Sequence, residues 1–175
     1  EERGTVAMLL VPWIRDILTD LDRGELRKED YDLSCWRLVL LGAQHVPPSL
    51  VKGWKKIFPE MQYEVNYGLT EASGPGCIHL GIGNEHKLGS IGKAGFNWEA
   101  RLVNEKGAVV EGGEVGEIIV KGNGVMREYY RNPEKTTETI KNGWLYTGDM
   151  GKTDNSGFIW IVDRKKDVII YGGEN

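Results

Sequence analysis

The chain has 175 residues, enough for one ordinary domain with its own core. Hydrophobic residues make up 40% and charged residues 27%, a globular and soluble balance. A formal net charge of -4 leaves no basic footprint for nucleic acid, and no apolar run approaches the ~20 residues of a transmembrane helix. Cys35 and Cys77 lack metal-ligand spacing and, with no disulfide framework, fit a reducing compartment. The chain starts at Glu1 without a methionine and stops on Gly172-Gly173-Glu174-Asn175, straight after an apolar strand-like run. We expect an internal piece of a longer protein.

Residues 1–30 read as helical: Pro12 opens a turn, Trp13, Ile14, Ile17, Leu18 and Leu21 recur at helical spacing, and Gly24 fits a C-terminal cap. Residues 36–41 (WRLVLL) read as a buried strand closed by Gly42-Ala43-Gln44. Pro47-Pro48-Ser49 opens a second helix carrying Leu50, Val51, Trp54 and Ile57, ending at Pro59. A short strand is predicted at 63–65. Strand, loop, helix, strand is an α/β unit, in which ligands gather at the carboxyl ends of strands. After residue 74 glycine becomes frequent, and strands are predicted at 99–104, 108–110 and 117–121 with turns between them. Asn132-Pro133-Glu134 is a helix start, with an N-cap, a proline in the first turn and an acid beside the dipole. Strands at 158–162 and 168–171 flank the charged run Asp163-Arg164-Lys165-Lys166-Asp167.

Chemistry concentrates in a few segments. In Asn66-Tyr67-Gly68-Leu69-Thr70-Glu71 an aromatic face for a base, a hydroxyl for a phosphate oxygen and a carboxylate for Mg²⁺ lie within five positions, though a strand end with a solvated Glu71 reads equally. In Tyr146-Thr147-Gly148-Asp149 the aspartate can accept both hydroxyls of a ribose or cap a turn. Arg164 can clamp a phosphate or ribose oxygen, or belong to a solvated turn. The small residues of Gly42-Ala43-Gln44 let a planar ligand approach the backbone, or simply make a tight turn.

Taken in order, these segments resemble the acyl-adenylate-forming superfamily of acyl-CoA ligases, luciferases and peptide-synthetase adenylation domains. NYGLTE at 66–71 is similar to its Y-G-x-T-E motif. GEVGEIIVKGNGVMREYYRNPEKT at 113–136 resembles its G-E-[LIV]-x-[LIV]-[KR]-G-x-x-[LVM]-x-x-G-Y stretch, with Glu128 in place of the usual glycine. WLYTGD at 144–149 resembles its T-G-D motif, DRKKDVIIYGGEN at 163–175 its hinge motif, and GAQ at 42–44 its adenine-side loop. DRKKD followed by GGEN resembles acyl- and aryl-CoA ligases more than peptide-synthetase domains.

The resemblance implies an α/β fold: the end of an α/β subdomain at 1–74, a distorted β-barrel subdomain and its lead-in at 75–162, and the hinge with the start of a small C-terminal domain at 163–175. It implies that Tyr67 stacks on adenine, with Gly42, Ala43 and Gln44 as the other wall and Gly68 beside it. Thr70 holds the α-phosphate, Glu71 the Mg²⁺, and Asp149 both ribose hydroxyls, with Arg164 adding a ribose contact. Lys166 sits at the hinge. Ala72, Ser73, Gly74 and His79 are acyl-pocket candidates. The implied reaction consumes a carboxylic acid, ATP and CoA in the cytoplasm. The family's phosphate loop and adenylation lysine lie outside this sequence, so we expect the isolated chain not to catalyse adenylation. A luciferase-like oxidoreductase and a non-catalytic adenylate-binding relative are the competing expectations.

Overall fold

A computed structural model of the chain describes residues 4–164. The strand expected at 168–171, and Lys166 with it, lie outside the described residues. The described chain divides into two compact units, residues 4–65 with 80–89, and residues 66–79 with 90–164.

The first unit opens with strand β1 (Val6–Leu10), where helix was expected, and passes directly into helix α1 (Val11–Arg23). The apolar residues of α1 lie three and four apart, so Val11 and Ile14 are buried, while Ile17, Leu18 and Leu21 pack against the same core. Gly24 ends the helix as the spacing predicts, with a φ of 72° that lets its N–H reach back to the Asp20 and Leu21 carbonyls. Strand β2 (Leu38–Gly42) pairs parallel with β1, Met8 opposite Leu40. Helix α2 (Pro48–Ile57) follows, its prolines at the first turn, where the missing N–H costs nothing. It buries Leu50, Val51 and Trp54. Trp54 meets Trp36 edge-on at 5.7 Å and Phe58 at 4.6 Å, closing the core with rings. Strand β3 (Gln62–Leu69) pairs parallel with β2 over Gln62–Val65. It is longer than expected and carries the Tyr67 motif inside a strand rather than after one.

The second unit begins in the far half of β3. A 3₁₀ turn, Thr70–Ala72, returns the chain into β4 (Gly74–Leu80), which neighbours β3 and pairs antiparallel with β5 (Lys93–Ala94). Strand β6 (Trp98–Val103) and strand β7 (Gly116–Gly122) confirm two expected strands; the third, at 108–110, reduces to one bridge between Val109 and Val103. Five successive residues of β7 are buried, the mark of a strand covered on both faces. Helix α3 (Pro133–Thr139) starts where expected, Asn132 Oδ1 accepting from the Lys135 N–H. Two-residue β8 (Ile140–Lys141) leads into β9 (Trp144–Thr153), and β10 (Ile159–Arg164) ends the described chain. These strands form an antiparallel sheet in the order β10-β9-β7-β6, with β8 on β9. Its core joins Leu102, Ile118, Val120, Leu145 and Ile159 to Tyr67, Ala72 and Cys77.

Candidate nucleotide-binding site

The Thr147-Gly148-Asp149 motif is a bulge in β9. Glu117 of β7 faces Met150, yet Ile119 already faces Tyr146, so Ile118 alone spans the three motif residues. Gly148 adopts a φ of 77° there, a conformation costly for any residue with a Cβ. Side chains satisfy the backbone that the ladder cannot reach. Thr147 Oγ1 donates to the Ile118 carbonyl at 2.7 Å and accepts from the Asp149 N–H at 3.1 Å. The buried Glu117 carboxylate accepts from the Gly148 N–H at 3.0 Å. Asp149 is therefore aimed by a strand bulge and not by the simple turn that its sequence context offers.

Asp149 is only 4% exposed, and both of its oxygens have partners. Oδ2 accepts from the Tyr67 hydroxyl at 2.5 Å, and Oδ1 faces Arg164 Nε at 2.6 Å. A second bulge makes the latter pair. Ile161 of β10 faces Gly151, but Asp163 faces Met150 and Arg164 faces Asp149, so Val162 is surplus. A regular ladder running on from Ile161 would have set Asp163 opposite Asp149, carboxylate against carboxylate; the bulge sets Arg164 there instead. Burial first, then the negative charge of Asp149, pushes the Tyr67 hydroxyl well above the ordinary tyrosine pKa, so it stays a donor. An ionised carboxylate offers about four lone-pair sites. Two serve Tyr67 and Arg164, which leaves acceptor capacity for further hydroxyls.

Glu71 sits in the 3₁₀ turn after β3. Its carbonyl accepts from the Met126 N–H at 2.7 Å, and its Oε1 accepts from the Tyr129 hydroxyl at 2.6 Å. Burial, with the bond to Glu71 and its charge, pushes the Tyr129 hydroxyl up to about 12. No cluster of three or more His, Cys, Asp or Glu that could cage a metal occurs among the described residues. A single anchored carboxylate suits Mg²⁺, which keeps its waters and is commonly held by one or two carboxylates plus substrate phosphates.

The remaining expected residues fall as follows. Thr70 and Ser73 are exposed, Gly74 is half-buried and Ala72 is buried in the core. Gly68 is packed against β4: a Cβ there would lie 2.1 Å from the Gly74 carbonyl oxygen. His79, 1% exposed, shares a 2.7 Å hydrogen bond through Nδ1 with Ser90 Oγ and meets Phe158 edge-on. Gly42, Ala43 and Gln44 belong to the first unit, at the carboxyl end of β2, where Ala43 holds a left-handed φ of 67° at a cost on the order of 1 kcal/mol.

Two residues emerge that sequence reasoning passed over, Glu117 and Tyr129. The signal for Glu117 is a carboxylate opening the apolar run Ile118-Ile119-Val120, where a buried strand tolerates a charge only with a dedicated partner. Replacing Glu117 by alanine takes its acceptor from the Gly148 N–H and should destabilise the chain by about 1–3 kcal/mol in urea unfolding.

A bulge-mounted aspartate joined to a strand tyrosine and an arginine can accept hydroxyls, and the turn-mounted glutamate can offer a carboxylate oxygen to a cation. The chain belongs to the AMP-binding enzyme family, whose model matches residues 1–130. It is 39% identical over 145 residues to a feruloyl-CoA synthase from Amycolatopsis sp, covering 82% of this chain and 29% of that protein. It is 41% identical over 148 residues to a long-chain-fatty-acid–CoA ligase of Bacillus subtilis, covering 84% and 26%. The fold is similar to that of O-succinylbenzoate coenzyme A synthetase (MenE) from Bacillus subtilis in complex with ATP and magnesium ion, with a TM-score of 0.81 and 31% identity over 99% of this chain and 34% of that one. The chain thus spans only about a third or less of the length of these relatives.

Proposed function

We propose that this chain supplies nucleotide- and cation-binding elements of an ATP-dependent acid–CoA ligase, which activates a carboxylic acid, of the fatty type in our reading, as acyl-AMP and passes it to CoA in the cytoplasm. The observation that carries the proposal is Asp149, buried, ionically paired and presented on a bulge with acceptor sites to spare. The relatives named above, whose names are those of CoA ligases and synthases, support it. No helix among the described residues is long and apolar enough to cross a membrane.

In this reading Asp149 accepts both ribose hydroxyls and Arg164 adds a ribose contact while neutralising the carboxylate. Tyr67, its ring fixed by the hydroxyl bond to Asp149, lies against the adenine. Thr70 donates to an α-phosphate oxygen, and Glu71 ligates the cation. The substrate carboxylate attacks the α-phosphorus and pyrophosphate leaves; the thiolate sulfur of CoA then attacks the acyl carbon and AMP leaves. Both steps bring anions together. Mg²⁺, when bound, offsets charge developing on the phosphates; these side chains orient the nucleotide so that little reorganisation is left to the reaction. The domain division at 74 and 162 and a hinge role for Lys166 belong to the same proposal.

The full-length protein should catalyse ATP–pyrophosphate exchange dependent on an added acid and form a thioester with CoA. A panel of short, long and aromatic acids would define the class. No exchange with any acid would sink the proposal, and so would exchange without thioester formation for its CoA half. The 175-residue chain alone should show no exchange.

A further inference from the structure

Glu71 is not left loose. A glutamate has three side-chain torsions, and a carboxylate that must be ordered only when a cation arrives gives up that freedom at the expense of affinity. The structure orders it beforehand, from one segment of chain. Residues 122–129 run flush against the turn Thr70–Ala72: a Cβ on Gly124 would lie 2.6 Å from the Ala72 carbonyl oxygen, and the Met126 N–H binds the Glu71 carbonyl. Three residues further on, the Tyr129 hydroxyl donates to Glu71 Oε1 at 2.6 Å. Tyr129 is itself fixed from behind. Its N–H donates to Thr136 Oγ1 at 2.9 Å, and that hydroxyl donates to the Asn132 carbonyl at 2.9 Å, inside the capped first turn of α3. A chain of hydrogen bonds therefore runs from the start of α3 through Tyr129 to one oxygen of Glu71.

We propose that Tyr129 is a positioning residue for the cation-binding carboxylate, holding Glu71 by Oε1 so that Oε2 is the oxygen offered to Mg²⁺ on the nucleotide phosphates. The proposal rests on the reading of Glu71 as the Mg²⁺ ligand. Hydrogen bonds to a ligating carboxylate fix its orientation, and their loss elsewhere lowers metal affinity about 10–100-fold.

The test is equilibrium binding of ATP to the full-length protein, followed by displacement of a fluorescent ATP analogue, once with Mg²⁺ and once with EDTA. The ratio of the two affinities isolates the cation. Glu71→Gln should collapse the ratio. Tyr129→Phe, which keeps the ring, should lower it about tenfold while leaving affinity in EDTA and the melting temperature near wild type. If Glu71→Gln collapses the ratio and Tyr129→Phe does not move it, the positioning role is wrong and the ligand reading stands. If neither variant moves it, the ligand reading itself is wrong. Equal weakening with Mg²⁺ and EDTA would mean that Tyr129 serves only the fold, which also overturns the proposal. Should Tyr129→Phe not fold, Thr136→Val loosens the same tyrosine and should lower the ratio by less; an unchanged ratio there counts against the proposal too.

Discussion

Asp149→Ala in the full-length protein should weaken ATP binding by at least about a hundredfold, measured by isothermal titration. Two hydroxyl hydrogen bonds to an ionised acceptor are worth roughly 1.5–3 kcal/mol each, and both vanish. Further losses follow from the geometry. The Tyr67 hydroxyl is left buried without its acceptor, and Arg164 loses the carboxylate opposite it. Because Arg164 is 39% exposed while Tyr67 is buried, water can re-solvate the arginine more readily than the tyrosine. We therefore expect the folding cost to come mainly from Tyr67, and the double variant Asp149→Ala with Tyr67→Phe to recover part of the stability but none of the affinity. Unchanged ATP binding in Asp149→Ala would remove the ribose assignment.

Gly68→Ala should be the most damaging single-atom change in the Tyr67 motif. The added Cβ would lie 2.1 Å from the Gly74 carbonyl oxygen and 2.7 Å from both the Gly74 carbonyl carbon and Pro75 Cα. These are backbone atoms and have no rotamer to escape into. Relief requires moving β3 away from β4, and Gly68 lies between Tyr67 and Thr70, so both would shift with it. Overpacking a core costs about 1–3 kcal/mol and occasionally more; a clash with fixed backbone belongs at or above the top of that range. Urea unfolding would measure it. Gly53→Ala is the control of opposite sign: its Cβ would sit 3.4 Å from Leu18 Cδ1 in the interior of α2, an ordinary contact, so helix propensity should stabilise the chain by about 0.5–1 kcal/mol. Equal effects of the two substitutions would refute the steric argument.

The elements legible in the sequence are those with punctuation of their own. Prolines at the first turns of α1, α2 and α3, Gly24 after α1 and Asn132 before α3 state their helices outright. Strand β1 was hidden because its apolar run passes into α1 without a turn, and a five-residue run has no period to separate strand from helix. Strand β4 starts Gly74-Pro75-Gly76, which locally reads as a turn; only its neighbours make it a strand. Strand β9 was obscured by Gly148, whose left-handed φ belongs to a bulge and not to a chain reversal. At the candidate site, residue types singled out Tyr67, Glu71, Asp149 and Arg164 as groups able to hold a nucleotide. Their partnership was not announced, since Tyr67 and Asp149 are 82 positions apart and meet only through the order of the strands. His79 came under notice through the resemblance and its place after Glu71; the fold packs it against Ser90 and Phe158.

The bulge in β9 bears on how such chains drift. Thr147, Gly148 and Glu117 answer to the backbone of that bulge, and Gly68 to the close approach of two strands. Losing any of the four would cost folding stability, on the order of 1–3 kcal/mol each, so selection on folding alone would preserve much of the motif signature. Thr70, exposed at the rim of its turn, is under no comparable constraint from the core. In a lineage selected for folding alone, that position would be the first to wander, while the two glycines stayed.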